Sequence, residues 1–275
     1  MKFFKKLFQF YIFSNLHVAL AGFSLTRITE IRFEIDNYFA SLFVAFSIVL
    51  SYNFIRYFEV KTARLVWFYS WFNTNFRKIK LLFGLSILGL CLLIFKGFIN
   101  FNAILFVLPF GFMTFFYAVP LFKIGKTDVS FRNLPFIKIF SISIAWAGVT
   151  VFFPLVNFGL EIDLNTFLVF LINFFFVFAI TIPFDIRDVY NDADKLKTIP
   201  QIFGVNGAKI IGVLSIVLLI FTSYFWENQI GTDIIFISII ATIFMLFSSS
   251  NQNRFYSSFW VESIPIMWFL IIVYF

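Results

Sequence analysis

The sequence contains one cysteine, Cys91, and one histidine, His17. A lone cysteine forms no internal disulfide, so cysteine usage carries no message about an oxidising compartment. A structural zinc site takes about four Cys or His ligands, which excludes a zinc protein. Charge is scarce too. Only 13% of residues are charged and 61% are hydrophobic, where soluble domains run at about 25% and 45–50%. A water-soluble globule of this composition would lack the polar surface to cover itself. The short apolar–polar alternation of barrel strands is also missing. The apolar runs are long and continuous, and in hydrocarbon such runs must satisfy their own backbone groups as helices. No Pro- or Gly-rich linker interrupts the chain, so residues 1–275 read as one transmembrane domain. The basic start, Met1 to Lys6, leads into an apolar run without a small-residue cleavage site, which reads as a retained first span.

What the sequence does have is phenylalanine, 48 residues of it, suited to lipid-facing and interhelical surfaces. Crossing a bilayer takes about 20 mostly apolar residues. Nine segments qualify: 9–28, 38–58, 79–97, 99–119, 136–156, 164–184, 209–226, 231–249 and 259–275. The third and fourth are joined by a tight turn around Lys96 to Asn100. The expected fold is therefore an all-α integral membrane protein with nine transmembrane helices. All of the 21 basic residues except Arg27, Arg32 and Lys96 fall on one side. By the positive-inside rule that side, with the N-terminus and the loops after even-numbered spans, is cytoplasmic, and the C-terminus lies outside. The net charge of +7 then reflects topology and attraction to anionic lipid. Its division among loops argues against nucleic acid. The long inward loops hold most of the polar residues, which puts function on that side.

The end of the sixth span carries Asp185, Asp188 and Asp192, at i, i+3 and i+7. On a continuing helix these share one face. Three adjacent carboxylates need cations. Arg187 and Lys195 are placed on other faces, and Mg²⁺ suits an oxygen-rich cluster shared with a substrate's phosphates. A solvated acidic loop capping the helix gives the same spacing. Against it stands the position of Asp185 at the end of an apolar span, where ionisable groups are costly and usually functional. The stretch Lys195-Leu196-Lys197-Thr198-Ile199-Pro200 adds basic charge beside this face.

Asp185 to Asp192, followed by Lys197-Thr198-Ile199-Pro200 and Gly204, resembles the second aspartate-rich motif of the UbiA superfamily of intramembrane prenyltransferases. Tyr117 to Lys123 is similar to the end of that family's fourth helix, and Arg132 to Pro135 with Ser143 to Ala147 to the opening of its fifth. The resemblance implies a UbiA-like bundle in a bacterial cytoplasmic membrane. It also implies transfer of a polyprenyl group from its diphosphate to a membrane-soluble, aromatic acceptor. In that reading Asp185, Asp188 and Asp192 hold Mg²⁺, and Asn53, Arg56, Lys61, Tyr117, Lys123 and Lys197 bind substrate.

The first motif departs from the family pattern. If Asn53 is its asparagine, the three aspartate positions hold Phe54, Tyr57 and Lys61, and Glu59 is out of register. Arg56, Lys61 and Arg64 would then contact phosphate oxygens directly in place of one metal. Each of them alone also reads as an ordinary positive-inside anchor. A non-catalytic relative that binds isoprenoid lipid or acts as a scaffold remains the alternative. A transporter is less favoured, because the acidic cluster sits at a membrane face and not at the midplane. His17, Asn15 and Asn173 are expected to join helices by hydrogen bonds. Trp146 is a candidate for the lining of the prenyl channel. Glu262 opens the last span with no role apparent from sequence.

Overall fold

A computed structural model describes residues 2–61, 66–119, 122–124, 127–129, 137–190 and 196–275. It is helical apart from one small hairpin among these residues. In chain order the helices are α1 (Lys2–Phe13), α2 (Leu16–Arg32), α3 (Phe39–Lys61), α4 (Val66–Phe95) and α5 (Phe101–Ala118). Strands β1 (Phe122–Ile124) and β2 (Thr127–Val129) pair antiparallel, with Lys123 opposite Asp128. Then come α6 (Ile137–Ala147), a π-helical turn Gly148–Phe152 and α7 (Phe153–Phe158), which together make one rod. The rest are α8 (Leu164–Asp188), α9 (Ile199–Glu227), α10 (Thr232–Leu246), a π-helical turn Tyr256–Val261 and α11 (Ile264–Tyr274). Among the described residues six helical stretches are long and apolar enough to cross a membrane, and α5 and α10 are shorter apolar helices. The chain is thus an integral membrane protein by the length and composition of its helices.

Each expected span overlaps a helix; the helix of the seventh starts ten residues early, at Ile199, and two other corrections of extent stand beside it. The first span is broken. Asn15 adopts a left-handed conformation (φ 63°), separating α1 from α2. The break is held from outside the segment. Asn15 Nδ2 donates to Asn53 Oδ1 at 3.2 Å, and Asn53 Nδ2 donates to the Ser14 carbonyl at 2.9 Å. The third span begins earlier than its apolar run, because α4 continues back through Lys80, Lys78 and Arg77 to Val66. Its early turns are aromatic, and Phe68 and Phe72 pack with Val60 and Phe13, so tertiary burial extends the helix beyond the membrane run.

Local signals start and stop the helices that carry the site. Asp163 caps α8, accepting the Thr166 N–H at 2.8 Å. At the start of α9 the Gln201 side chain accepts the Thr198 N–H at 2.9 Å, and Pro200 stands in the first turn. Gly204 breaks α9 after one turn with φ 70° and ψ 174°, a conformation that excludes a side chain. In the α4–α5 turn Gly97 takes φ 73°. From α7, Asn157 pins this turn, accepting the Asn100 N–H at 2.7 Å and donating to the Phe98 carbonyl at 3.1 Å.

Among the described residues two larger apolar cores and two small clusters result. One gathers Leu25, Phe176, Ile182, Leu219, Ile234 and Trp268 from α2, α8, α9, α10 and α11. The other gathers Val18, Val44, Val49, Ala103 and Phe153 from α2, α3, α5 and α7. Trp146 of α6 touches both.

Candidate functional site

Between the two cores lies a cavity of about 770 Å³. That is the size range of small-molecule sites. One end is charged, lined by four basic residues, Arg56, Lys138, Arg187 and Arg254, and four acidic ones, Glu59, Asp185, Asp188 and Glu262. They come from the last two turns of α3, the last turn of α8, the first turn of α6, and the residues just before and just after the π turn Tyr256–Val261. The other end is apolar, lined by Val18, Ala21, Leu25, Ala145 and Val177. Along α8 the path from Asp188 to Val177 covers about 16 Å at the α-helical rise.

The pairing at the charged end is specific. Asp185 is 1% exposed, and its Oδ1 lies 2.9 Å from Nζ of the buried Lys138 on the facing helix α6. Arg187 curls onto Asp188 in a two-bond pair, Nε to Oδ1 and a terminal nitrogen to Oδ2, both 2.8 Å. The expectation that Arg187 points to another face is therefore corrected. α8 ends at Asp188, and there the guanidinium of Arg187 folds across its neighbour. The same guanidinium stands over the Phe184 ring and reaches Ser258 at 3.4 Å. Arg56 pairs with the buried Glu59 at 3.2 Å and lies over the Phe68 ring. Deeper in, Trp146 Nε1 donates to the Tyr52 hydroxyl at 3.0 Å, and both line the wall.

The sequence-predicted site residues divide on this geometry. Arg56, Tyr117, Asp185 and Asp188 line the cavity together. Asn53 does not. It is buried, and its amide is spent on Asn15 and on the carbonyls of Ser14 and Val49. Lys61 is exposed at the end of α3 with its ammonium over the Tyr57 ring. Lys197 is exposed in a left-handed turn and lines no part of the cavity. The backbone of Lys123 lies in β1. Asp192, Arg64 and Lys195 lie outside the described residues. α8 ends at Asp188 and a turn at Val189–Tyr190 follows it.

Of the three aspartates expected to hold magnesium, Asp185 and Asp188 are described and each meets a cation of the chain. Asp185 is matched by an ammonium and Asp188 by a guanidinium. Among the described residues no three His, Cys, Asp or Glu side chains cluster to hold a metal ion.

Sequence reasoning missed Lys138, Arg254 and Glu262 as site residues and left Glu59 out of register. Glu262 had a signal, an ionisable group inside an apolar segment. The π turn Tyr256–Val261 just before it sets the phase in which Ser258 and Glu262 both face the cavity. Such insertions are frequent at functional sites. Among the described residues the Glu262 carboxylate makes no hydrogen bond or ion pair, and the charges acting on it are those of Arg187 and Arg56.

The other polar expectations fare unevenly. His17 joins helices as expected, with its Nε2 at 3.0 Å from the Phe259 carbonyl and its Nδ1 at 2.8 Å from the Tyr11 hydroxyl. Asn15 does so too, through Asn53. Asn173 does not, because its Nδ2 donates to the Val169 carbonyl one turn back in its own helix.

Comparison with protein-family models, with curated proteins and with solved structures finds no match.

Proposed function

We propose that the chain is an intramembrane prenyltransferase of the UbiA type. It would move a polyprenyl group from its diphosphate to a membrane-soluble acceptor of the aromatic class. The observation that carries this reading is one cavity joining an apolar end, deep among the helices, to a charged end built on the aspartate motif of α8. An amphiphile with a long apolar tail and a multiply charged head matches that gradient.

In this reading the tail lies along Val18, Ala21, Leu25 and Val177, and the diphosphate lies among Arg56, Lys138, Arg187 and Arg254. The allylic C–O bond breaks and its electron pair leaves with the diphosphate. Cationic donors preorganised at that end stabilise the charge that develops there. The aromatic faces of Tyr52, Trp146 and Phe184 support the allylic cation. The acceptor's electron pair forms the new bond to the prenyl carbon, and the acceptor sheds a proton. Glu262 is the carboxylate that takes it. The finer architecture belongs to the same proposal: α2, α3, α4, α5, the α6–α7 rod, α8, α9, α10 and α11 make nine crossings, with the charged end and α1 on the cytoplasmic side.

Purified protein in detergent should bind radiolabelled geranylgeranyl diphosphate, and Asp188→Ala should weaken that binding by releasing Arg187 from its fixed position. No binding by the unaltered protein would sink the transferase reading. Phe54, Tyr57 and Lys61 at the first-motif positions favour one alternative, a non-catalytic relative that binds isoprenoid lipid. Binding of geranylgeraniol as tight as that of the diphosphate would decide for it.

A further inference from the structure

We propose that α1 lies in the plane of the bilayer surface, with its phenylalanine face among lipid acyl chains and its lysines at the headgroups of anionic phospholipids. This surface lies outside the cavity, and the proposal does not depend on what the cavity takes.

The pattern of α1 sets it apart from the spans. Phe4, Leu7, Phe8 and Tyr11 fall at i, i+3, i+4 and i+7, one face of the helix, while Lys5, Lys6 and Gln9 fall opposite. A helix surrounded by lipid would be apolar all round. One with a lysine stripe opposite an aromatic face suits the boundary between headgroups and acyl chains. The first two turns leave that face open: Phe3 is 72% exposed and Phe4 73%, with Leu7 exposed beside them. Lys5 and Lys6 are exposed too. From α4, Lys78 brings a further positive charge to α1, its ammonium 5.6 Å from the Phe10 ring centroid. A neutral bilayer would cover the phenylalanines and leave the lysines unmatched. An anionic leaflet meets both at once.

The break at Asn15 frees α1 for this place. A left-handed residue between two helices ends one axis and starts another. The 17 residues of α2 cover about 26 Å at the α-helical rise, close to the hydrocarbon core of about 30 Å. The crossing is therefore made without α1. The second half of α1 is docked on the protein, which fixes its roll. Phe8 lies 5.4 Å from the Phe255 ring and 5.0 Å from that of Phe259, and Phe13 stacks on Phe255 at 6.0 Å. The Tyr11 hydroxyl lies 2.8 Å from His17 Nδ1. Ile12 and Phe13 line the cavity, and Phe13 packs on Phe68, the ring under Arg56. A helix seated at the bilayer surface thus places the charged end of the cavity level with the headgroups.

The test uses the full chain carrying Cys91→Ser and Leu7→Cys, with a bimane label on the new thiol, in vesicles of phosphatidylcholine and phosphatidylglycerol. Lipids brominated on their acyl chains should quench the label, and acrylamide in the water should not. At equal mole fraction, brominated phosphatidylglycerol should quench about twofold more than brominated phosphatidylcholine. Adding Lys5→Gln/Lys6→Gln, at two exposed positions, should remove at least half of that advantage and leave quenching by phosphatidylcholine unchanged. A label reached by acrylamide and by no brominated lipid overturns the proposal, because α1 then stands in water. A label reached by neither also overturns it, because protein, such as a second copy of the chain, then covers the face. Equal quenching by the two lipids in the chain with both lysines, or an advantage untouched by their replacement, overturns the assignment to anionic headgroups.

Discussion

Opposite the charged end of the cavity, the last turn of α2 holds Arg32 in a buried knot. Its guanidinium lies 2.9 Å from Asp233 Oδ2 in the first turn of α10, with the two side chains 7% and 17% exposed. It also stands 5.0 Å from the Trp226 ring centroid and 5.2 Å from that of Trp268, while Trp268 Nε1 donates to Asp233 at 2.8 Å. Four helices, α2, α9, α10 and α11, meet in this one group. Replacing Arg32 by Met leaves the carboxylate with the indole N–H alone. Breaking a buried pair from one side costs about 3–5 kcal/mol. The residual exposure of Asp233 and its remaining bond put this case near the lower figure. Loss of the two ring contacts adds about 1 kcal/mol, so Arg32→Met should destabilise by about 4 kcal/mol in all. Arg32→Met/Asp233→Asn leaves no buried charge, and its cost should fall to about 1–2 kcal/mol. Thermal unfolding in detergent, followed by tryptophan fluorescence, ranks the variants directly. If Arg32→Met stays within about 1 kcal/mol of the unaltered protein, or if the double variant costs the sum of the singles, the knot is not the clasp described here.

Three further outcomes follow from the same structure. Asp163, hydrogen-bonded to the Thr166 N–H and hydroxyl at the start of α8, has its carboxyl held below the usual range by those bonds. Its contribution is present above the unfolded carboxyl's pKa of about 3.9 and is lost as pH falls through the lower folded value. Asp163→Ala should cost about 1 kcal/mol near neutrality and nothing once the unaltered side chain is protonated, read from melting curves against pH. Glu262→Gln should abolish prenyl transfer and leave diphosphate binding intact, while raising stability by about 1 kcal/mol as an unmatched carboxylate is removed. Retained transfer would remove Glu262 from the reaction. A Cβ on Gly148 would meet the Phe110 ring at 2.3–2.6 Å, whereas on Gly212 it meets the flexible end of Met245, the methyl at 2.3 Å and the sulfur at 2.7 Å. Gly148→Ala should therefore cost about 1–3 kcal/mol. Gly212→Ala should be near neutral, since the Met245 thioether can move aside. Equal costs would refute the distinction.

What could be read from the sequence, and what could not, follows from how each feature is encoded. Apolar runs encode membrane helices one residue at a time, so a helix was anticipated in every expected span. The break at Asn15 is different. It falls inside an apolar run and is fixed by an amide on α3, so only the folded partner reveals it. Spacing placed Asp185 and Asp188 on one helix face, and they do share a cavity. Spacing could not say which cation meets them. Lys138 reads in sequence as one more positive-inside residue, yet the packing of α6 on α8 makes it the partner of Asp185. Glu262 was visible as an anomaly and illegible as a site residue, because the π turn before it resets the phase by which a helical face is read. The site thus depends on two things a linear pattern omits, contacts between helices and departures from the α-helical period. Both act at one place here, where Arg187 from α8 reaches Ser258 in the π turn. That contact ties the phase of Glu262 to the aspartate motif. A residue inserted or deleted within Tyr256–Val261 should therefore rotate Ser258 and Glu262 away from the cavity and leave the Lys138–Asp185 pair in place. Diphosphate binding would then survive while transfer is lost, and simultaneous loss of both would show that the π turn holds up the whole charged end.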